Sequence, residues 1–164
     1  MGPVGHSAIS AGIGAGVWGV TGSPAAAGVA LGVGVLTDVD HLFDFYRWYA
    51  RRKKGKIFLL FHAWEYSMAG LLLVGLVYYH PLLLAAVLAH LGHIATDHLH
   101  NRLSPWGYFI TYRVLVRFDT ARITPDQDVL LSYRTWPQLV PFGKRIEPWY
   151  RRKIEPWFQS RISD

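Results

Sequence analysis

The sequence predicts an all-α membrane protein: a polytopic four-helix bundle of two antiparallel hairpins, followed by a basic, aromatic C-terminal extension. Three observations carry this. First, the 164 residues are 51% hydrophobic and only 17% charged, yet the net charge is +6, whereas an ordinary soluble domain is about 25% charged. Second, the charges are segregated. Residues 1–37 contain no Asp, Glu, Lys or Arg, Glu65 is the only such residue from 57 to 96, and every Lys and Arg lies at or beyond Arg47. Third, turn signals divide each uncharged stretch in two, at Thr21-Gly22-Ser23-Pro24 and at His80-Pro81. A disordered chain, a collagen-like chain and a uniformly solvated globule are excluded. A soluble helical bundle is the alternative, but it would leave two nearly uncharged hairpins without a polar face.

The elements follow in order. The first apolar segment runs from about residue 4 to 20, and Pro24 suits the start of the second. That second segment runs to about Leu36, and its helix can continue to Tyr46. Arg51, Arg52, Lys53, Lys54 and Lys56 form a basic loop. The third segment spans about residues 57–79 and the fourth about 81–98. A helix of about seventeen residues covers ~26 Å, slightly less than the ~30 Å hydrocarbon layer. Ten of the sixteen glycines fall within the first 34 positions. The pairs Gly12/Gly16 and Gly28/Gly32 have the spacing that lets membrane helices approach closely. Gly14-Ala-Gly16-Val-Trp-Gly19 mimics a dinucleotide fingerprint, but no alternating strand precedes it. The basic residues lie in the inter-hairpin loop and the C-terminal third. The positive-inside rule therefore puts both chain ends in the cytoplasm, with the bundle in the inner membrane.

The chain divides at residue 101: a transmembrane bundle, 1–101, and a cytoplasmic or interfacial region, 102–164. Residues 112–117 suggest a short amphipathic helix. A small repeat follows, Arg145-Ile-Glu-Pro-Trp-Tyr150 and Lys153-Ile-Glu-Pro-Trp-Phe158. Neighbouring Trp and Arg suit a headgroup zone, or a layer covering the end of the bundle. The bilayer is the expected partner, and no nucleic-acid partner is expected. The opening residues, MGPVGH, lack the basic n-region of a cleavable signal peptide.

There is no cysteine, so any metal is held by His, Asp or Glu. Ionisable groups on membrane helices are functional candidates by default, and here they gather. His6 opens the first segment; Asp38, Asp40, His41 and Asp44 close the second; His62 and Glu65 open the third; His90, His93, Asp97, His98 and His100 close the fourth. In an up-down-up-down bundle all four groups fall at one end. His93 and Asp97 are i, i+4 and share a face with His90; His62 and Glu65 are i, i+3. Imidazoles and carboxylates converging from several helices form a bundle metal site, suited to Zn²⁺, Mn²⁺ or Fe²⁺. Read singly, His90 is equally a packed histidine, Asp44 a partner of Arg47, and His41, His98 and His100 solvated side chains.

Val35-Leu-Thr-Asp38-Val-Asp40-His41 resembles the Leu-Pro-Asp-x-Asp-His motif of the YdjM-type (DUF457) membrane-bound metal-dependent hydrolases. His6, His62 and His93-Ile-Ala-Thr-Asp97 match that family's other histidines and its His-x-x-x-Asp in order. The likeness covers about residues 5–107. Thr37 stands where the family has Pro, and His62 lies in His-Ala-Trp-Glu rather than Thr-His-Ser. The family is in turn similar to zinc-dependent phospholipase C and P1-type nucleases, whose later His-x-x-x-Glu is absent here. The resemblance implies that His6, Asp38 or Asp40, His62, His93 and Asp97 bind one or two divalent ions, zinc by preference; His90, which the spacing puts on the face of His93, is a further candidate ligand. It also implies hydrolysis of a phosphoester, such as a phospholipid or a lipid-linked phosphate. Asp38, Asp40 or Glu65 would take the proton of the attacking water, and Arg102 is the nearest cation in sequence for the phosphate. A transporter of metal or protons, which would carry ionisable groups through the midplane, and a scaffold with a structural metal and a basic partner-binding tail are the rival readings.

Overall fold

A computed structural model describes residues 2–163. It is all-helical; among the described residues the only extended pairing is a single antiparallel bridge between Lys56 and Asp119. Helix α1 covers Pro3–Thr21 and α2 Pro24–Ala50. Helix α3 covers Trp64–Val77 and α4 Pro81–His100. Beyond these lie the short helices α5 (Ile110–Leu115) and α6 (Thr120–Ile123), a 3₁₀ stretch at Val129–Leu139, α7 (Gly143–Lys153) and α8 (Glu155–Ile162).

The first hairpin closes where the sequence reading puts it. Gly22 takes the left-handed conformation at φ 70°, its amide bonds to Trp18 O, and Pro24 opens α2. Glycine adopts that conformation without a Cβ clash. The close approach of α1 and α2 does not use the two predicted glycine pairs. A methyl group on Gly12, Gly16, Gly28 or Gly32 would meet nothing within 4 Å, whereas one on Gly14 would sit 2.8 Å from Ala27 Cα. A methyl on Gly34 would collide with the Ser10 side chain. The seam is thus Ser10, Gly14 and Val17 against Ala26, Ala30 and Gly34, and Ala85 and Ala89 of α4 complete the small-residue core.

Two further differences from the sequence reading matter. Helix α2 does not stop near residue 46. It runs through a 3₁₀ turn at Thr37–Val39 and reaches Ala50. The third segment, by contrast, is not helical from 57. Residues 57–63 form a loop, because α2 supplies carboxylates that fasten it. Asp44 accepts from the amides of Phe58 (3.0 Å) and Leu59 (3.1 Å), and Asp40 accepts from Phe61 N at 2.6 Å. Leu59 has a left-handed φ of 46°, a conformation that costs an L-residue roughly 1–2 kcal/mol. Those amide bonds and the burial of its side chain offset that cost.

Two helices are long and apolar enough to cross a membrane, Pro24–Ala50 and Pro81–His100. Only 28% and 39% of their apolar windows are buried within the protein, so most of that surface faces outward, unlike a soluble core helix. Helix α3 is shorter, spanning about 21 Å at 1.5 Å per residue.

The C-terminal residues fold back on the end of α2. Trp48, Tyr49, Ile57 and Leu59 share one buried core with Ile123, Tyr133, Tyr150 and Phe158. This aromatic core spans the sequence boundary at residue 101 and covers one end of the bundle. The predicted amphipathic helix is Ile110–Leu115, but Arg113 on it is fully buried. Of the repeat, the Trp149 and Trp157 rings remain half exposed while Tyr150 and Phe158 pack inward.

Candidate metal centre

The predicted convergence at one end of the bundle is present. His6 sits in the first turn of α1, Asp38 and Asp40 on α2, His62 in the loop before α3, and His93 and Asp97 on α4. His6, Asp38, His93 and Asp97 lie close enough to hold a metal ion, and Asp38, His41 and His62 form a second group around the same aspartate.

The inner atoms are regularly spaced. His62 Nε2 lies 3.1 Å from His93 Nε2, 3.4 Å from Asp38 Oδ1 and 3.5 Å from Asp97 Oδ2. His93 Nε2 lies 3.4 Å from Asp38 Oδ1 and 3.6 Å from Asp97 Oδ2. Zinc bonded to nitrogen or oxygen at 2.0–2.1 Å in a tetrahedron implies ligand–ligand edges of ~3.3–3.4 Å. These five separations bracket that value.

The outward ring nitrogens fix which atoms face inward. His93 Nδ1 is 2.8 Å from Gly34 O; a carbonyl only accepts, so Nδ1 donates and a neutral His93 presents a lone pair on Nε2. His62 Nδ1 is 3.0 Å from Asp40 Oδ2, which leaves its Nε2 facing the centre in the same way. Histidine ligands are usually oriented by such a carboxylate or carbonyl. Two imidazole lone pairs and two carboxylates then converge in a buried place, a mutually repulsive set that a bound cation or a proton relieves. Burial alone depresses the His62 pKa, but the Asp38, Asp40 and Asp97 carboxylates outweigh it and hold the pKa well above the ordinary histidine value. His6 completes the ring of groups. It stacks on His93 with centroids 3.8 Å apart, and its Nε2 lies 3.0 Å from Asp97 Oδ1. Both His6 nitrogens are buried without a well-directed hydrogen bond. An imidazole so placed, its Nε2 beside the Asp97 carboxylate and its Nδ1 without a partner, fits a metal-binding group.

The centre has one open side. The side chains of His6, Asp40, His62, His93 and Asp97 are 0–2% exposed, but Asp38 is 28% and His41 32% exposed. His41 Nε2 is 3.6 Å from Asp38 Oδ1, and its ring lies 4.8 Å from that of His62. Surface cavities of about 490 and 610 Å³ open elsewhere, both against Gly55 and Asp119.

Three expected residues have other roles. Glu65 is not brought to the centre. Its carboxylate accepts from the amides of Ile110 and Thr111, 3.0 Å each, and from the Thr111 hydroxyl at 2.8 Å, so it anchors the start of α5. The i, i+3 pairing with His62 fails because His62 precedes the helix. His90 bonds Ser67 Oγ through Nδ1 (2.7 Å) and Phe61 O through Nε2 (2.8 Å), the packed-histidine reading. Asp40 faces His62 and Phe61 N from behind rather than the centre itself. Sequence reasoning undervalued His41; its place beside Asp38 follows from the i, i+3 spacing, but nothing in the sequence separates it from a solvated histidine.

No protein-family model, no curated protein and no solved structure matches the chain.

Proposed function

We propose that the protein is an integral membrane metal-dependent hydrolase that cleaves a phosphoester, with its centre at the cytoplasmic membrane interface. The observation that carries this is the close set of His62 Nε2, His93 Nε2, Asp38 and Asp97, 3.1–3.6 Å apart in the five contacts that involve an imidazole, each imidazole oriented by a fixed acceptor. His62, His93, Asp38 and Asp97 hold a divalent ion, zinc by donor chemistry, and His6 flanks Asp97. The sharing of Asp38 between two groups leaves room for one ion or two. Such an ion supplies Lewis acidity toward a phosphoryl oxygen and acidifies water toward neutrality.

The chain's own residues do the rest. Asp40 holds the His62 tautomer. Asp38 and His41 line the open side, so a substrate group meets them first. With Asp40 and Glu65 committed to amides, His41 is the titratable side chain left to exchange a proton there. A lipid-linked phosphate suits this place, since its tails remain in the bilayer while its headgroup reaches the open side. Four spans with both ends cytoplasmic agree with the basic loop at 51–56 and the uncharged turns at 21–24 and 78–81. The likeness to the YdjM-type hydrolases favours the same reading, and its matching residues are those that converge.

The test is phosphodiesterase activity of the purified protein on a lipid phosphodiester and on a soluble chromogenic one. Activity removed by a chelator, restored by Zn²⁺ or Mn²⁺ and lost in His41→Ala and Asp97→Ala supports the proposal. Absence of hydrolysis in a fully metal-loaded protein overturns it in favour of a scaffold.

A further inference from the structure

The basic loop is joined to a second basic segment far from it in sequence. Gly55 takes a left-handed φ of 80°, which glycine adopts without a Cβ clash, and Lys56 pairs with Asp119 in the antiparallel bridge. Ile57 N donates to Phe118 O at 3.0 Å and Thr120 N to Gly55 O at 3.1 Å. The Phe58 and Phe118 rings stack with centroids 4.6 Å apart. These contacts hold the corner between α5 and α6 against the loop. Arg117 and Phe118 turn that corner with consecutive left-handed residues, φ 55° and 60°. Such conformations persist where the surroundings fix them, and the bonds to residues 55 and 57 do so here.

The joint encloses a surface cavity of about 490 Å³ whose lining includes Gly55, Lys56, Leu115, Arg117, Asp119 and Arg122. That is the size of a small-ligand site. Three cations and one carboxylate line it, and Asp119 Oδ1 is turned to its own backbone, accepting from Ala121 N at 2.9 Å. Among the described residues the ion pairs made by Lys or Arg belong to Arg134 and Arg151, so none of the three cavity cations is neutralised by one. Lys54, in the same basic run, is instead spent on Ile162 O at 2.6 Å. The adjoining cavity of about 610 Å³ shares Gly55 and Asp119 but adds Asp126 and Asp128, which confines an anion to the basic side. Leu115 gives the basic cavity an apolar lip: it is 79% exposed, and its neighbour Val114 56%.

We infer that this cavity binds the phosphate of an anionic phospholipid headgroup. The cations suit the phosphate, and the exposed Leu115 and Val114 suit the adjoining acyl chains, which a free phosphate lacks. The basic loop follows directly on α2, a helix long enough to cross a membrane. With the cytoplasmic placement proposed above, the cavity stands at the leaflet whose anionic lipids attract juxtamembrane Lys and Arg. The site rests on that placement and not on the metal centre.

The test is a titration of the purified full chain, in neutral detergent with a chelator present, with dihexanoyl phosphatidylglycerol. The readout is the rise in melting temperature that a bound ligand produces. Dihexanoyl phosphatidylcholine, inorganic phosphate and a single-stranded oligonucleotide form the other arms. Saturable binding of phosphatidylglycerol, at least ~10-fold tighter than of the other three, supports the site. Each neutralised cation lowers affinity roughly fivefold, so Lys56→Gln/Arg117→Asn/Arg122→Gln lowers it on the order of 100-fold; asparagine tolerates the left-handed φ at that corner. Lys144→Gln/Arg145→Gln/Lys153→Gln removes the same charge elsewhere and costs less than about fivefold. An equal loss in both triple variants, or no saturable binding, overturns the inference. Phosphate binding as tight as phosphatidylglycerol makes this a free-phosphate site and overturns the lipid assignment, as does preference for the oligonucleotide. If the cavity triple variant does not fold, the exposed Arg122→Gln alone decides: a roughly fivefold loss supports the site and an unchanged affinity refutes it. Release of the chain from membranes by alkaline carbonate refutes the membrane placement, and with it the lipid assignment; failure of the metal tests leaves the site standing.

Discussion

Asp40→Asn distinguishes an orienting aspartate from a ligand. Asp40 Oδ2 accepts from Phe61 N at 2.6 Å and faces His62 Nδ1 at 3.0 Å. Asparagine keeps an oxygen of the same size there but removes the charge, and hydrogen bonds to an ionised group are roughly twice as strong as neutral ones. The His62 ring then loses its anionic anchor while its Nε2 still reaches the centre. Disturbing an oriented histidine in this way lowers metal affinity ~10–100-fold, or ~1.4–2.7 kcal/mol at 1.36 kcal/mol per decade. The loop keeps its fold, because Asp44 still holds Phe58 N and Leu59 N. The assay is competition for Zn²⁺ against a chromophoric chelator, with circular dichroism as the folding control. A loss as complete as that of His93→Ala would make Asp40 a direct ligand, as the sequence motif alone allows. Unchanged affinity in a folded protein would refute the orienting role.

Other outcomes follow from the same geometry. In the metal-free protein the His62 pKa is raised, so its protonated form stabilises the fold below the unfolded histidine value of ~6.5, and that contribution fades as pH climbs past the raised folded value. Zn²⁺ must displace this proton, so affinity should rise ~tenfold per pH unit near neutrality, and calorimetry in buffers of different ionisation enthalpy should report proton release; a flat profile from pH 6 to 8 contradicts it. Gly34→Val forces a side chain into Ser10 and should destabilise by ~1–3 kcal/mol, whereas Gly12→Ala and Gly16→Ala, which meet nothing, should leave the melting temperature unchanged. Glu65→Gln should lower stability by ~0.5–2 kcal/mol through the weakened start of α5 and leave metal content intact, since Glu65 lies outside the centre.

Much of this was legible in the sequence because charge is so scarce. In a chain with no charged residue from 1 to 37, each buried His or Asp must have a partner, and the two turn signals alone bring His6, Asp38, His62, His93 and Asp97 to one end. What failed did so for local reasons. Helical spacing paired His62 with Glu65, but carboxylates from α2 pull residues 57–63 out of helix and break that register. Four of the early glycines have membrane-packing spacing, yet Ser10, Gly14 and Gly34 line the seam, because which helical face turns inward is set by the third helix packed on it. Arg113 reads as one more surface cation; only the fold of α5 against the loop after His62 buries it.

The central claim is a metal ion held by His62, His93, Asp38 and Asp97, and elemental analysis tests it most directly. The account predicts one or two equivalents of a divalent transition metal, zinc by donor type, per folded wild-type chain purified without chelator, and a large loss in folded His93→Ala. No metal in the wild type after incubation with Zn²⁺ and removal of the excess, or equal content in His93→Ala, would contradict it.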